Sequence, residues 1–123
     1  MGKAHAFGFA TAERVFNLPV NFEMDFIADA TLDLAEDARA AFGFQRATEN
    51  WRDLISDPSI DIVDITAPNA LHKEMALAAI AAGKHVYCEK PISLTIKEGR
   101  AMAIAVKENK VVFQTGSQQR TQY

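Results

Sequence analysis

Cysteine is all but missing from this chain: Cys88 stands alone. A single thiol excludes an internal disulfide and points to a reducing, cytoplasmic setting. Long apolar runs are missing as well. Although 49% of the 123 residues are hydrophobic, no uninterrupted stretch approaches the roughly 18 residues that span a bilayer. Lys3, His5, Glu13 and Arg14 break up the apolar residues near the start, so no signal-peptide pattern is expected there. Charge of one sign is scarce too. The net charge is -3 with acids and bases interleaved, which argues against a nucleic-acid partner or an anionic membrane surface. No Cys/His/Asp cluster stands at ligand spacing, so no metal site is expected. Repeats, low-complexity tracts and linkers are absent. What remains is a length and apolar content suited to one ordinary α/β domain with a sizeable core.

The apolar pattern alternates between helix and strand periods. Residues 3–14, rich in Ala and Phe, predict a helix, broken by the Pro19 segment. Residues 22–28 alternate apolar and acidic side chains before turning fully apolar, as a strand entering a sheet does. A helix over Leu32–Phe42 follows, with Gly43 as its left-handed C′ residue. A short strand at 45–48 and a helical turn at 51–55 come next. Strand 60–66, helix 71–82 ended by Gly83, and strand 85–88 then succeed one another. Thr95 with Glu98 three residues on makes a capping box for a helix reaching about residue 108. A last strand is predicted at 110–114. Strands alternating with helices imply parallel pairing and right-handed crossovers, hence a doubly wound parallel sheet.

Two strand ends carry polar chemistry. Strand 85–88 runs into Glu89-Lys90-Pro91, and strand 60–66 into Thr66-Ala67-Pro68-Asn69 with His72 beyond. In open α/β sheets, ligands bind in the crevice outside the carboxyl ends of the strands. A lysine held there is placed for proton transfer. One expected part is not seen. A doubly wound nucleotide-binding sheet opens on a strand whose glycine-rich turn brings the pyrophosphate to a helix N-terminus. Here the first element is a helix, and only Gly2 stands where such a turn would finish.

These residues resemble the Gfo/Idh/MocA oxidoreductases, the family of glucose–fructose oxidoreductase and inositol dehydrogenase. Glu89-Lys90-Pro91 is similar to the family's EKP signature, and Thr66-Ala67-Pro68-Asn69 with His72 resembles its T-x-P-N-x-x-H segment. Met1-Gly2-Lys3-Ala4-His5 resembles the end of its glycine motif, with Gly2 as the third glycine and His5 as the histidine. The match runs in order along essentially the whole chain. It implies a Rossmann-like NAD(P)-binding domain over residues 1–123, lacking its first strand. The parent protein is expected to be longer, with a second half that shapes the substrate pocket, carries an Asp-x-x-x-His pair and assembles the protein into a homo-oligomer.

The resemblance also implies roles. Lys90 would bond the reacting hydroxyl or carbonyl and act as general acid–base, because a carbinol that loses hydride must also lose its hydroxyl proton. The plain alternative is a surface lysine at a strand end. Glu89 would be structural or contact the nicotinamide ribose, and Pro91 would fix the turn. Asp29, directly after the second strand of such a sheet, would accept hydrogen bonds from the adenosine ribose and repel a 2′-phosphate. With no basic residue in Ala30-Thr31-Leu32, NAD is expected rather than NADP. Asp29 lies further from Gly2 than the usual spacing of about 20 residues, and the connection at 16–21 takes up the excess. Its alternative is the N-cap of helix 32–42, which Thr31 could supply instead. Thr66, Pro68 and Asn69 would meet the cofactor, or simply form a turn and N-cap.

His72 is weighed evenly between cofactor contact and packing. His5 is matched to the motif yet reads on its own, like His85, as structural. Gln118 and Arg120 either line the cofactor–substrate junction or belong to a polar exit loop. Trp51 is expected in the core and Cys88 as a buried inert thiol. The expected activity of the parent is hydride transfer between NAD and a secondary alcohol of a sugar, inositol or related polyol. The rivals are NAD-dependent glycoside hydrolysis through transient oxidation, and a non-catalytic nucleotide-binding fragment.

Overall fold

The computed structural model describes residues 1–121. The chain divides into two compact units, Met1–Asp57 and Pro58–Tyr123.

The first unit holds α1 (Gly2–Val15), β1 (Phe26–Ala28), α2 (Leu32–Phe42), β2 (Arg46–Thr48) and α3 (Trp51–Ser56). β1 and β2 pair in parallel, with Phe26 opposite Arg46 and Ala28 opposite Thr48. α2 packs on both strands and α3 on β1. The fully buried Ala35 is the residue through which α2 closes on its neighbours; a methyl there lets helix and strand approach closely. Thr31 caps α2 by accepting from the Leu34 amide at 3.3 Å. Gly43, at φ 78°, ends the helix in the left-handed region as expected.

Two expectations fail in this unit. The strand predicted at 22–28 begins only at Phe26. Its alternating start has another use: Gln45 and Arg46 amides donate to the Asp25 carbonyl at 2.9 and 2.8 Å, and the Asp25 carboxylate takes the Arg46 guanidinium through Nε at 2.9 Å and Nη2 at 2.8 Å. The third arm of Arg46, Nη1, reaches Asp57 at 2.5 Å, and the group stacks 4.3 Å from the Phe26 ring centre. These two carboxylates push the guanidinium further above its usual range. Trp51, expected in the core, is half-buried, with the Arg52 guanidinium 4.1 Å from its ring centre. The connection after α1 is held by Phe9 and Phe22, edge to face at 5.4 Å, and by the Phe22 amide donating to the Glu13 carboxylate.

The second unit holds β3 (Ile62–Ile65), α4 (Asn69–Ala81), β4 (His85–Glu89), α5 (Ile96–Asn109), β5 (Phe113–Gly116) and a 3-10 turn at Gln118–Thr121. Its sheet is parallel in the order β3-β4-β5. The strand orders of the two units are those of strands 2–3 and 4–5–6 in the doubly wound 3-2-1-4-5-6 arrangement. The first strand has no counterpart among the described residues.

α4 buries His72, Ala76, Ala79 and Ile80, a spacing that lines one helix face. Val63 and Ile65 of β3, Val86 and Cys88 of β4, and Met102 of α5 complete the core. Gly83, at φ 76°, ends α4, with its amide donating to the Ile80 carbonyl at 3.0 Å and the Lys84 amide to that of Ala79 at 3.0 Å. The Thr95 hydroxyl caps α5 by accepting from the Glu98 amide at 3.2 Å. The Glu98 carboxylate returns one residue earlier than a capping box requires, to the Leu94 amide at 2.9 Å. The last strand lies later than the predicted 110–114, because Lys110 is the left-handed residue that ends α5 at φ 55°. The Val112 amide then goes to His85 Nδ1 at 3.0 Å rather than into the ladder.

Candidate active site

The polar residues singled out in the sequence fall on helix starts and on the carboxyl ends of strands. In the first unit, α1 starts at Gly2 with Met1 at its N-cap and no side-chain cap bond. The Met1 carbonyl accepts from the Ala4 and His5 amides at 2.9 and 3.3 Å. An α-helix leaves its first amides without intrahelical acceptors, and they attract anions. Gly2 is exposed there and His5 half-buried. Asp29 follows β1 directly and is exposed. Its amide donates to the Thr48 carbonyl at 3.2 Å, and its Oδ1 accepts from the Ala30 amide at 2.7 Å. The N-cap of α2 is Thr31, so Asp29 is not spent on capping.

In the second unit, β3 stops at Ile65 and leads through Thr66 and Ala67, both half-buried, to Pro68. α4 begins at Asn69 with Pro68 at the N-cap and no side-chain cap bond. The N-cap thus falls within this segment, on Pro68, and no side chain of it caps the helix. β4 ends on Glu89, only 4% exposed, and the next residue, Lys90, is exposed. The Lys90–Pro91 peptide is cis. β5 passes on the other side with Gly116 opposite Glu89. Gln118, half-buried, follows in the 3-10 turn with the exposed Arg120.

His72 has a different place from the cofactor contact the motif suggested. Its ring is 1% exposed, with Nδ1 2.8 Å from the Pro91 carbonyl oxygen and Nε2 2.7 Å from that of Ala67. Both ring nitrogens are occupied by backbone, so none is left to meet a ligand. The ring instead joins the segment after β3 to the segment after β4. One signal for this was legible: residues 72, 76 and 80 fall on the same helix face, and that face is the buried one. The two carbonyl partners carry no signal at all. His85 is structural as expected, with Nδ1 accepting from the Val112 amide.

The electrostatics around β4 are set by burial and, after it, by two carboxylates. Burial first, then the charges of Asp64 and Glu89, push the Cys88 thiol up to about 11 and raise the Tyr87 hydroxyl above its usual value. The thiol is fully buried, in keeping with an inert cysteine. An apolar cleft of about 280 Å³ opens beneath α5, lined by Ile92, Met102, Val106 and Phe113 among others. No charged side chain lines it, so it is ill-suited to a dinucleotide's phosphates. Among the described residues, no group of three metal-ligating side chains occurs, and no helix is long and apolar enough to cross a membrane.

Parallel strands, uncapped helix starts and an exposed acid after β1 define a nucleotide-binding α/β protein, and comparison with known proteins agrees. The Gfo/Idh/MocA oxidoreductase family, NAD-binding Rossmann fold, matches residues 2–117. The chain belongs to that family.

Levoglucosan dehydrogenase of Pseudarthrobacter phenanthrenivorans is 46% identical over 116 residues, which are 91% of this chain and 29% of that protein. The structure of a levoglucosan dehydrogenase in complex with NADH and levoglucosan matches with a TM-score of 0.91 and 44% identity, over 94% of this chain and 32% of that one. The scyllo-inositol 2-dehydrogenase (NAD(+)) of Bacillus subtilis is 32% identical over 94 residues, 76% of this chain and 28% of its own length. The chain thus spans about a third or less of these relatives. Within the first unit, the start of α1, without a side-chain cap, suits a phosphate, and the Asp29 carboxylate, not engaged in capping, suits a ribose.

Proposed function

We propose that the protein takes part in hydride transfer between NAD and a secondary alcohol of a sugar, inositol or related polyol. The observation that carries this reading is the exposed Lys90 at the carboxyl end of β4, beside a segment that His72 ties to the end of β3. Bound NAD supplies the hydride acceptor. As the carbinol carbon loses hydride, the Lys90 amine takes the hydroxyl proton, and it returns that proton in the reductive direction. Thr66, Pro68 and Asn69 hold the cofactor near the start of α4, and Glu89 and Gln118 complete the nicotinamide side. Gly2 and His5, in the first turn of α1, serve the pyrophosphate. Asp29 accepts from the adenosine ribose hydroxyls, and its charge disfavours the 2′-phosphate of NADP. Residues 2–117, matched as one Rossmann fold, are read as one dinucleotide-binding domain. The names of the relatives, levoglucosan and inositol dehydrogenases, support the substrate class. The buried lone thiol of Cys88 suits a reducing cytoplasm, and a homo-oligomer is the expected state of the complete protein.

The test has two arms. A thermal melt of the chain with NADH at about 100 times its dissociation constant should show roughly 2.7 kcal/mol of added stability, with NADPH giving less. No shift with either nucleotide overturns the cofactor assignment. Incubation with NAD and a panel of levoglucosan, inositols and sugars should release NADH. Binding without turnover overturns the oxidoreductase reading for this polypeptide, and glycoside cleavage without net NADH assigns it to the hydrolytic rival.

A further inference from the structure

We propose that His72 is a positioning residue, a two-armed clasp that joins the segment after β3 to the segment after β4 and so sets where Lys90 stands. The inference rests on the reading of Lys90 as the acid–base residue, but its geometry does not. Two carbonyl oxygens lie at hydrogen-bond distance from the one ring, Pro91 at 2.8 Å from Nδ1 and Ala67 at 2.7 Å from Nε2. A carbonyl oxygen only accepts, whereas a neutral imidazole donates from one nitrogen and presents a lone pair on the other. The ring therefore bonds one carbonyl through its N–H and touches the other, whichever tautomer is present, so that one side chain contacts both segments.

Burial makes the arrangement consequential. With the ring 1% exposed, a ring nitrogen that lost its carbonyl would stay in the interior with no water to replace it, and a buried polar group without a partner is costly. The two anchored carbonyls belong to residues that flank the proposed machinery: Ala67 lies between Thr66 and Pro68, and Pro91 adjoins Lys90. The ring is carried on the core face of α4 beside Ala76 and Ile80, which packs against β3, β4 and α5. The clasp therefore refers both segments to the rigid part of the unit. A lysine on a short segment beyond a strand has many rotamers and no fixed backbone of its own. Tying the next residue's carbonyl to α4 removes the backbone part of that freedom, which is what a proton-transfer group at hydrogen-bond reach requires.

The deciding measurement is nitrogen NMR of the ring in the folded wild-type chain, which needs neither cofactor nor turnover. One His72 nitrogen should carry a slowly exchanging hydrogen coupled to the Ala67 or Pro91 carbonyl, and the ring should show short contacts to both segments. A ring hydrogen that exchanges at the solvent rate, or contacts to one segment alone, overturns the clasp. A second measurement uses His72→Gln, which keeps a donor, and His72→Phe, which keeps none. In both, amide shifts should concentrate at Thr66, Ala67, Lys90 and Ile92 and leave 84–86 in place, larger for the Phe variant. In turnover, kcat should fall at least 10-fold in His72→Phe, with partial recovery in His72→Gln and NADH affinity within about 3-fold of wild type. Equal loss of NADH affinity and kcat, or shifts spread over the whole unit, assigns His72 to general stability and overturns the positioning role. Should neither variant fold, the wild-type nitrogen spectrum alone decides. Failure of the wild type to bind NADH would overturn the functional reading and leave the ring geometry standing.

Discussion

Gly116 stands opposite Glu89 in the parallel register of β4 and β5, and the Glu89 side chain fills the space a Cβ on Gly116 would need. That Cβ would lie 3.1 Å from the Glu89 Cα and would overlap its carboxylate. Strand pairing thus admits a buried acid beside Lys90 only because its partner has no side chain. Gly116→Ala should lower unfolding stability by about 1–3 kcal/mol through overpacking, and it should also disturb Glu89. Gly8→Ala is the contrast. A Cβ there meets nothing within 4 Å in the interior of α1, so the change should add about 0.5–1 kcal/mol. Denaturant titrations of the two variants check the opposite signs.

Asp29 and Thr31 stand two residues apart, and the structure separates their work. Thr31 accepts from the Leu34 amide at the start of α2, whereas Asp29 contributes no cap. Thr31→Ala should cost about 1 kcal/mol of stability and leave NADH affinity unchanged. Asp29→Ala should change stability by no more than about 0.5 kcal/mol, weaken NADH and narrow its advantage over NADPH. Paired melts and nucleotide titrations read both. Equal effects of the two variants on NADH would remove the assignment of Asp29 to the ribose.

Lys84 is a lysine in an unexpected place. It is 8% exposed, and its Nζ donates to the Ile60 carbonyl at 2.7 Å, closing the turn before β3 onto the start of β4. Lys84→Met keeps the length of the side chain and removes the donor. A loss of about 1.5–3 kcal/mol is expected, the range for a hydrogen bond to a charged group, with NADH affinity unchanged in the fraction that remains folded. Chemical denaturation with NADH titration measures both.

How much of this was legible beforehand follows a physical divide. Helix ends are local events, and Gly43, Gly83 and Thr95 announce them in one residue each. Strand ends are decided by what pairs across the sheet. The acidic alternation before Phe26 looked like strand, but Asp25 turned out to hold Arg46, twenty-one residues away. Val112 looked like strand, but its amide meets His85, twenty-seven residues away. The site divides in the same way. Lys90 and the segment from Thr66 to Asn69 declare themselves as polar residues at strand ends. The bridge through His72 depends on the carbonyls of Ala67 and Pro91, which any residue could supply, and on a separation of nineteen residues from Pro91.

Cys88 offers the pH test. Burial, with the charges of Asp64 and Glu89, raises the folded thiol to about 11 against an ordinary value of 9.0. The folded state therefore holds its proton where the unfolded chain gives it up. The stability due to this group is fully present below about pH 9 and is lost as pH rises towards 11. Lysines also titrate in that range, so the quantity to read is the difference between wild type and Cys88→Ala. Between pH 8 and pH 11 the wild type should lose more stability than the variant in parallel melts. Alkylation of the folded protein at pH 8 should be slow and should accelerate on unfolding, because the thiolate is the nucleophile. Rapid labelling of the native chain at pH 8, or pH profiles that run parallel in the two proteins, would show that burial and the charges of Asp64 and Glu89 do not hold the thiol protonated.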